Sequence, residues 1–237
     1  MACPAGTLYR NYYAQTGAPG DMSYKGQAGG SGRQLNTVKD VELLLENKKH
    51  QYWSMSNGYL LPTQPKSLAG LCQRISSEEP TTVGGVEMPL FEAMIAAQRI
   101  GIHWDTEVVR SKKRPEVERH RVCQCFCSAV PVSYGKSTNS KEWEPLARVC
   151  LSGAYEATLA AAAILAHRRG ERIKVFLTSV GGGAFGNRSM WIVDALGRAL
   201  AIHKEQPIDV YLVHYERVPK GDFQAIEKGY KKPPKIR

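Results

Sequence analysis

The chain has 237 residues, 43% of them hydrophobic, and its 32 lysines and arginines against 22 aspartates and glutamates give a net charge of +10. This length suits one large domain with terminal extensions, which can bury its core without disulfides or metal ions. No apolar run approaches the roughly 20 residues of a membrane span, and the N-terminus lacks the order of a signal peptide. Six cysteines without secretory features are typical of reduced thiols. We therefore expect an intracellular monomer, cytoplasmic or nuclear, that is not bound to a membrane.

The chain divides into three predicted parts. Residues 1–36 are dense in glycine, tyrosine and serine, and we expect irregular or extended chain that packs on the domain. Residues 37–217 carry the periodic segments of a folded domain, and residues 218–237 form a basic tail. A second basic run covers residues 110–121. Such runs are typical of solvated loops and tails, and the absence of a nucleic-acid-reading motif disfavours nucleic acid as a partner.

Hydrophobic periodicity predicts the secondary structure of the domain. Apolar residues at helical spacing indicate helices over 37–47, 89–99, 144–169 and 189–205. Runs of β-branched and aromatic residues indicate strands over 51–56, 102–109, 122–130, 173–180 and 208–215. Thr37 and Ser189 are expected to cap their helices, while Pro145 opens the longest helix and Gly170 closes it. Residues 57–88 form a long excursion with one helical turn at 68–74.

The second half of the chain alternates strands and helices with short connections. Parallel strands need such crossover helices, so this order predicts an α/β fold. The strand over 122–130 has few polar breaks, as expected of a central strand covered on both faces. Cys123, Cys125 and Cys127 alternate along it and are expected to pack in the core, because zinc sites use wider spacings. The prediction is a three-layer sandwich, in which a mixed, largely parallel sheet has helices on both faces.

A glycine-rich segment between the strand over 173–180 and the next helix is the strongest sign of function. It comprises Gly181, Gly182, Gly183, Ala184, Phe185, Gly186 and Asn187, hereafter the glycine loop. Glycines let backbone N–H groups approach a ligand without a Cβ in the way, and the N-terminus of the next helix adds a positive dipole end. A tight turn needs fewer glycines, so we expect the loop to bind an anion such as phosphate.

Two common nucleotide sites fit the glycine loop poorly. Gly181, Gly183 and Gly186 satisfy the G-x-G-x-x-G spacing of dinucleotide-binding folds. Those folds place the motif after their first strand, with most of the sheet to follow, whereas here one helix, one strand and a tail remain. No Lys-Ser or Lys-Thr pair follows the glycines, which disfavours a triphosphate-binding P-loop.

The order of the elements and the glycine loop together resemble the macrodomain family. In that family a loop with a Gly-(Val/Ala)-(Phe/Tyr)-Gly core precedes the last helix and strand, and Gly183-Ala184-Phe185-Gly186 stands in that place. The extra glycines look most like the poly(ADP-ribose) glycohydrolase branch. Residues 125–134 resemble the strand and turn that the family places before its long helix. The resemblance covers residues 50–217 and implies a macrodomain-like fold whose glycine loop binds the diphosphate of ADP-ribose.

Two further segments resemble family motifs. The sequence SMSNG is similar to a strand-terminal asparagine motif, which implies that Asn57 contacts a ribose. The sequence VGGVE resembles the catalytic loop, which implies that Gly84 and Gly85 bind the ligand and that Glu87 is catalytic. Because Pro89 is expected in the first turn of a helix, we predict that Glu87 lies at a helix start and is kept ionised by the helix dipole.

Cleavage of the glycosidic bond at the distal ribose needs fixed negative charge, a positioned water and a proton donor. Glu87, Asp105 and Glu107 are the carboxylates nearest to the predicted loops, and these three are the candidate catalytic residues. We expect no metal ion and no other cofactor.

Three functions remain open from the sequence. The first is an ADP-ribosyl hydrolase that removes ADP-ribose from a protein, with modified ubiquitin as one candidate, or from poly(ADP-ribose). The second is a reader module that binds ADP-ribose or ADP-ribosylated protein without cleaving it. The third is a basic protein that binds nucleic acid or another polyanion, which only the two basic runs support. The first two share their phosphate and ribose contacts, so the glycine loop cannot decide between them.

Overall fold

The computed structural model describes residues 2–3, 35–56, 58–77, 79–108, 120–135, 139–214, 223–224 and 226. Its helices are α1 (Lys39–Leu44), α2 (Asn47–His50), α3 (Ser67–Ser76), α4 (Leu90–Ala97), α5 (Glu144–Arg169) and α6 (Ser189–Ile202). Its strands are β1 (Ala2–Cys3), β2 (Leu35–Asn36), β3 (Trp53–Ser56), β4 (Tyr59–Pro62), β5 (Pro80–Val83), β6 (Val86–Pro89), β7 (Gly101–Glu107), β8 (Arg121–Phe126), β9 (Ile173–Thr178) and β10 (Ile208–Val213). Most of the predicted N-terminal segment, of the basic run over 110–121 and of the basic tail lies outside the described residues.

Helix α5 is the central element of the core. It has 26 residues and is about 39 Å long. Pro145 stands in its first turn and Gly170 ends it in the left-handed conformation, with φ 65°, as the sequence predicts. By length and composition the stretch Ser140–Arg169 could cross a membrane, but 67% of its most apolar window is buried, as in the core helix of a folded domain. Helix α6 packs along α5, and α4 packs against it as well.

Strands β9 and β10 form the parallel pair that the sequence predicts. They run in register from Ile173 opposite Ile208, and the crossover between them contains α6. Side chains alternate between the two faces of a strand, and Val175 is buried on the face where α5 packs. On the other face Phe176 is 65% exposed, and its ring stacks on that of Tyr211 at 5.2 Å. Within the described residues, helices therefore cover one face of this pair rather than both.

The other strands form antiparallel pairs instead of joining one sheet. The pairs are β1–β2, β3–β4, β5–β6 and β7–β8, so the described residues contain five two-stranded sheets, of which one is parallel. Short connections favour antiparallel pairing, and Gly84 and Gly85, with φ 58° and 83°, turn β5 directly into β6. The mixed α/β class is confirmed. A single largely parallel sheet, by contrast, is not formed by the described residues.

The four predicted helices are confirmed: α5 has the predicted ends, and the other three are shorter than predicted. Neither Thr37 nor Ser189 caps its helix, because the cap positions are Val38 and Arg188, which make no side-chain cap hydrogen bond. Helix α3 is ten residues long where the sequence predicts a single turn. Its length follows from an apolar face that is buried in the core, formed by Leu68, Leu71 and Ile75.

The hairpin of β5 and β6 lies in the segment that the sequence predicts as a long excursion. Its two prolines, Pro80 and Pro89, indicate breaks in secondary structure, yet they lie opposite each other at the open end of the hairpin. A proline is tolerated at a strand end because no ladder hydrogen bond is required of its nitrogen there. Strand β6 then leads directly into α4, which begins at Leu90.

Candidate functional site

The glycine loop begins just beyond the end of β9, and one buried tyrosine holds its start. The Tyr155 hydroxyl, from α5, donates a hydrogen bond to the Thr178 carbonyl at 2.7 Å and accepts one from the Val180 N–H at 2.9 Å. Burial raises the pKa of Tyr155 above its usual value, so the phenol stays protonated and can donate at neutral pH. The core helix thus fixes the chain as it enters the loop.

Backbone hydrogen bonds fold the loop back on itself. The Gly186 N–H donates to the Gly183 carbonyl and the Asn187 N–H to the Gly181 carbonyl, both at 3.0 Å. Asn187 is 5% exposed, and its Nδ2 donates to the Val130 carbonyl at 2.8 Å and to the Gly181 carbonyl at 3.3 Å. Asn187, predicted as a ligand contact, is therefore mainly an internal brace of the loop.

The glycines of the loop are needed for different reasons. A Cβ on Gly181 would overlap the Cβ of Ala129, and Gly181 has φ 79°. Gly186 has φ 70°, so both glycines have a structural reason to lack a side chain. Gly183 has no positive φ of this kind, and a Cβ there would meet no heavy atom within 4 Å. Neither backbone conformation nor packing therefore requires a glycine at position 183. Gly183 is exposed and has no side chain, so a ligand can approach its backbone.

Two other predicted segments meet the glycine loop. The Ser133 N–H donates to the Phe185 carbonyl at 3.0 Å, and the Ser133 hydroxyl donates to the Ala184 carbonyl. The ring of Tyr134 lies 5.5 Å from that of Phe185, and the Tyr59 ring lies 5.3 Å from Tyr134 and 6.0 Å from Phe185. These contacts have the edge-to-face geometry that aromatic pairs prefer. Three segments that are remote in sequence thus form one aromatic cluster (Tyr59, Tyr134 and Phe185) beside the loop.

Three of the residues that sequence reasoning misses at this site have a weak signal in the sequence. Tyr59 directly follows the predicted asparagine motif, and Tyr134 ends the segment that resembles the family's strand and turn, so a weak signal exists for each. Arg188 separates the glycine loop from α6, and its signal is a cation next to a predicted phosphate loop. Asn57, predicted to contact a ribose, lies outside the described residues.

Glu87 lies on a hairpin and not at a helix start. It stands in β6 opposite Thr82 and is exposed, while α4 begins three residues later at Leu90. The predicted position of Glu87 in the first turn of a helix is therefore wrong, because Pro89 ends β6 and is the N-cap of α4, so that Glu87 precedes the helix. Gly84 and Gly85 form the turn of the same hairpin. Within the described part of the chain, no backbone–backbone hydrogen bond joins this hairpin to the glycine loop.

Asp105 lies at the opposite end of β9 from the glycine loop. Its carboxylate accepts a hydrogen bond of 2.8 Å from Arg169 at the end of α5, just before Gly170 leads towards β9. The six residues of β9 span about 20 Å, and the loop follows the far end. The structure therefore separates Asp105 from the glycine loop, and its catalytic role stays a prediction. Only the backbone of Glu107 is described, opposite Arg121 in β8.

A separate cavity of about 500 Å³ lies between β8 and β9. Among the described strands, β8 pairs with β7 alone, so within these residues it is not the central strand that the sequence predicts. Cys123, Cys125 and Cys127 line the cavity and are half-buried instead of fully in the core. Burial raises the pKa of Cys125 to about 12, which disfavours the thiolate needed for nucleophilic attack or metal binding. Across the described ranges, no group of three or more His, Cys, Asp or Glu residues could hold a metal ion.

The site as a whole is an open glycine loop at the carboxyl end of a parallel strand, followed by a helix and flanked by aromatic rings. Ligands of α/β proteins commonly bind beyond the carboxyl ends of parallel strands, and helix N-termini favour anions. The arrangement can therefore receive a phosphate-bearing ligand. No protein-family model matches the chain, and no curated protein matches its sequence.

Proposed function

We propose that this protein binds ADP-ribose, with the diphosphate against the backbone of the glycine loop. The observation that carries the proposal is Gly183, whose missing side chain is required neither by backbone conformation nor by packing. Gly183 exposes its backbone in a loop that precedes a 14-residue helix. The positive end of the helix dipole favours a negatively charged ligand at that position.

The aromatic cluster favours a larger ligand than free phosphate. Tyr134 is 42% exposed beside the glycine loop, and the two rings that it contacts, Phe185 and Tyr59, are half-buried. Small-molecule sites combine apolar and aromatic walls with a few placed polar groups. A diphosphate that carries a sugar on each side would use the loop and the rings together, whereas phosphate alone would use only the loop.

Hydrolysis is the second candidate function and depends on the first. It would remove ADP-ribose from a modified protein, for which ubiquitin is one candidate carrier, or from poly(ADP-ribose). The observation that favours it is Glu87, an exposed carboxylate that makes no ion pair with any residue in the described part of the chain. A carboxyl group in this position could orient a water or stabilise positive charge at the ribose carbon. A reader module would need only the loop and the rings.

Calorimetry with a series of ligands tests the proposal. We expect ADP-ribose to bind about tenfold or more tightly than AMP or ribose-5-phosphate, since it alone fills the loop and both sugar positions. Equal affinity for AMP and ADP-ribose would contradict the proposal, and tighter binding of NAD would favour a dinucleotide site. Binding without preference among these ligands that falls steeply with salt would favour a polyanion-binding protein. Incubation with mono- and poly-ADP-ribosylated proteins then tests hydrolysis.

A further inference from the structure

Arg188 is a cation held at the junction between the glycine loop and α6. Its Nη2 donates a hydrogen bond to the Ser140 hydroxyl at 3.3 Å, and its Cζ lies 5.6 Å from the ring centroid of Trp191. Trp191 is 1% exposed, so the indole is a fixed platform under the guanidinium. The charge is therefore positioned at the start of the helix although the residue itself is exposed.

The position of Arg188 is electrostatically unfavourable without an anion. A helix N-terminus carries partial positive charge, so a cation there is repelled. The first turn of α6 contains no acidic residue, and Arg188 pairs with no carboxylate of the described chain. Two other arginines differ in this respect: Arg148 on α5 pairs with Glu144 and Asp194, and Arg198 further along α6 pairs with Glu92 and Glu156.

The loop beside Arg188 also holds an unused hydrogen-bond acceptor. Asn187 is 5% exposed, and its Nδ2 is occupied by the carbonyls of Val130 and Gly181. Its Oδ1 is buried and has no hydrogen-bond partner in the described residues. A buried acceptor without a donor is costly, so a donor from outside these residues, such as a ligand hydroxyl or a water held by the ligand, would stabilise the loop.

We infer that Arg188 and the N-terminus of α6 form a phosphoryl subsite, and that the ligand class is a phosphorylated sugar. Its phosphoryl oxygens accept hydrogen bonds from Arg188, and a sugar hydroxyl supplies, directly or through water, the donor that Asn187 lacks. This inference rests on the proposed function, since it adds a positioning residue to the same site. It predicts that Arg188 contributes to ligand affinity and not to the stability of the free protein.

The test compares Arg188→Gln and Arg188→Lys with a matched control, Arg172→Gln. Arg172 is an exposed arginine at the other end of β9 that already pairs with Asp209 at 2.7 Å. ADP-ribose and inorganic pyrophosphate are titrated into each folded variant, and thermal unfolding is recorded without ligand. We expect Arg188→Gln to weaken binding of both anions about tenfold, the scale of one charge-assisted hydrogen bond, with an unfolding temperature equal to or above that of the parent. Arg188→Lys should recover part of the affinity, and Arg172→Gln should bind like the parent.

Each result decides between the two proposals. If the parent binds ADP-ribose and Arg188→Gln binds it equally well, the subsite is wrong while the proposed function stands. If pyrophosphate binds in an Arg188-dependent manner but ADP-ribose does not bind, the anion subsite stands and both the sugar class and the proposed function fail. If neither anion binds the parent, both proposals are overturned. A drop in unfolding temperature for both Arg188 variants, without ligand, would make Arg188 a structural residue and contradict the inference.

Discussion

The two ends of β9 differ in how their charges are balanced. Before its first residue, Arg169 and Arg172 form ion pairs with Asp105 and Asp209, and the hydrogen bond from Arg172 holds the pKa of Asp209 below its usual value. Beyond its last residue, the glycine loop presents backbone groups, a helix N-terminus and Arg188, and no carboxylate of the described chain pairs with that arginine. At the first end each arginine is neutralised by a carboxylate of the chain. At the second end the positive charge of Arg188 is not neutralised by any described residue.

This difference shows which charged residues deserve functional tests. A cation or carboxylate that already forms an ion pair in the folded chain is not available to a ligand. Where the pair is exposed, it also adds little to the stability of the fold. An unpaired charge beside open backbone is available to a ligand. The same distinction separates the candidate acids, since Asp105 is paired with Arg169 and Glu87 has no ion pair in the described part of the chain. Exchanging each acid for its amide tests whether the unpaired acid, and not the paired one, serves the site.

The largest effect is expected for Glu87→Gln. The amide keeps the size and hydrogen-bonding capacity of the side chain but removes the negative charge that would orient water or stabilise the oxocarbenium-like state. We expect hydrolysis of an ADP-ribosylated protein to fall about a hundredfold, the usual scale for one acid–base group, with ADP-ribose affinity within a few-fold of the parent. Single-turnover hydrolysis and calorimetry measure the two quantities. A variant that hydrolyses at the parent rate would remove Glu87 from the mechanism, and a parent that hydrolyses nothing would leave the reader function.

A much smaller effect is expected for Asp105→Asn. The substitution breaks an ion pair between side chains that are 54% and 40% exposed, and exposed pairs contribute less than about 1 kcal/mol to stability. ADP-ribose affinity and any hydrolysis should stay within about twofold of the parent. Asp105 lies near the start of β9, and the glycine loop follows its other end, about 20 Å further along the strand. Chemical denaturation and calorimetry check both statements. Loss of hydrolysis in Asp105→Asn together with a fully active Glu87→Gln would reverse the comparison.

Local elements of the fold could be predicted because their signals lie within one stretch of sequence. Helix α5 begins and ends as predicted because Pro145 and Gly170 mark its ends, and the parallel pairing of β9 and β10 follows from the helix between them. The pairing of the other strands depends on which remote segments meet, and hydrophobic periodicity carries no information on that. The terminal prolines of the β5–β6 hairpin indicate breaks in secondary structure, so the sequence predicts no strand there and assigns Glu87 to a helix start.

The candidate site was predictable only in its most local part. The glycine loop could be found because its glycines are contiguous and lie between a strand and a helix. The roles of individual loop residues could not, since Gly181 is required by contact with Ala129, and Asn187 by a hydrogen bond to Val130. The approach of Tyr59 and Tyr134 to Phe185 is likewise a tertiary event. These roles depend on contacts between residues far apart in sequence, and the spacing of residues along the chain does not predict such contacts.

The central claim is that the open backbone at Gly183 receives the diphosphate of ADP-ribose. Its most direct test is calorimetric titration of ADP-ribose into Gly183→Val, with Gly197→Val as the control. A Cβ at either glycine would meet no heavy atom within 4 Å, so both variants should fold, and Gly197 lies in α6 away from the loop. We predict that Gly183→Val unfolds at the parent temperature but loses ADP-ribose binding by about tenfold or more, because the side chain blocks the backbone, while Gly197→Val binds normally. Parent-like binding by a folded Gly183→Val variant would show that the glycine loop is only a turn.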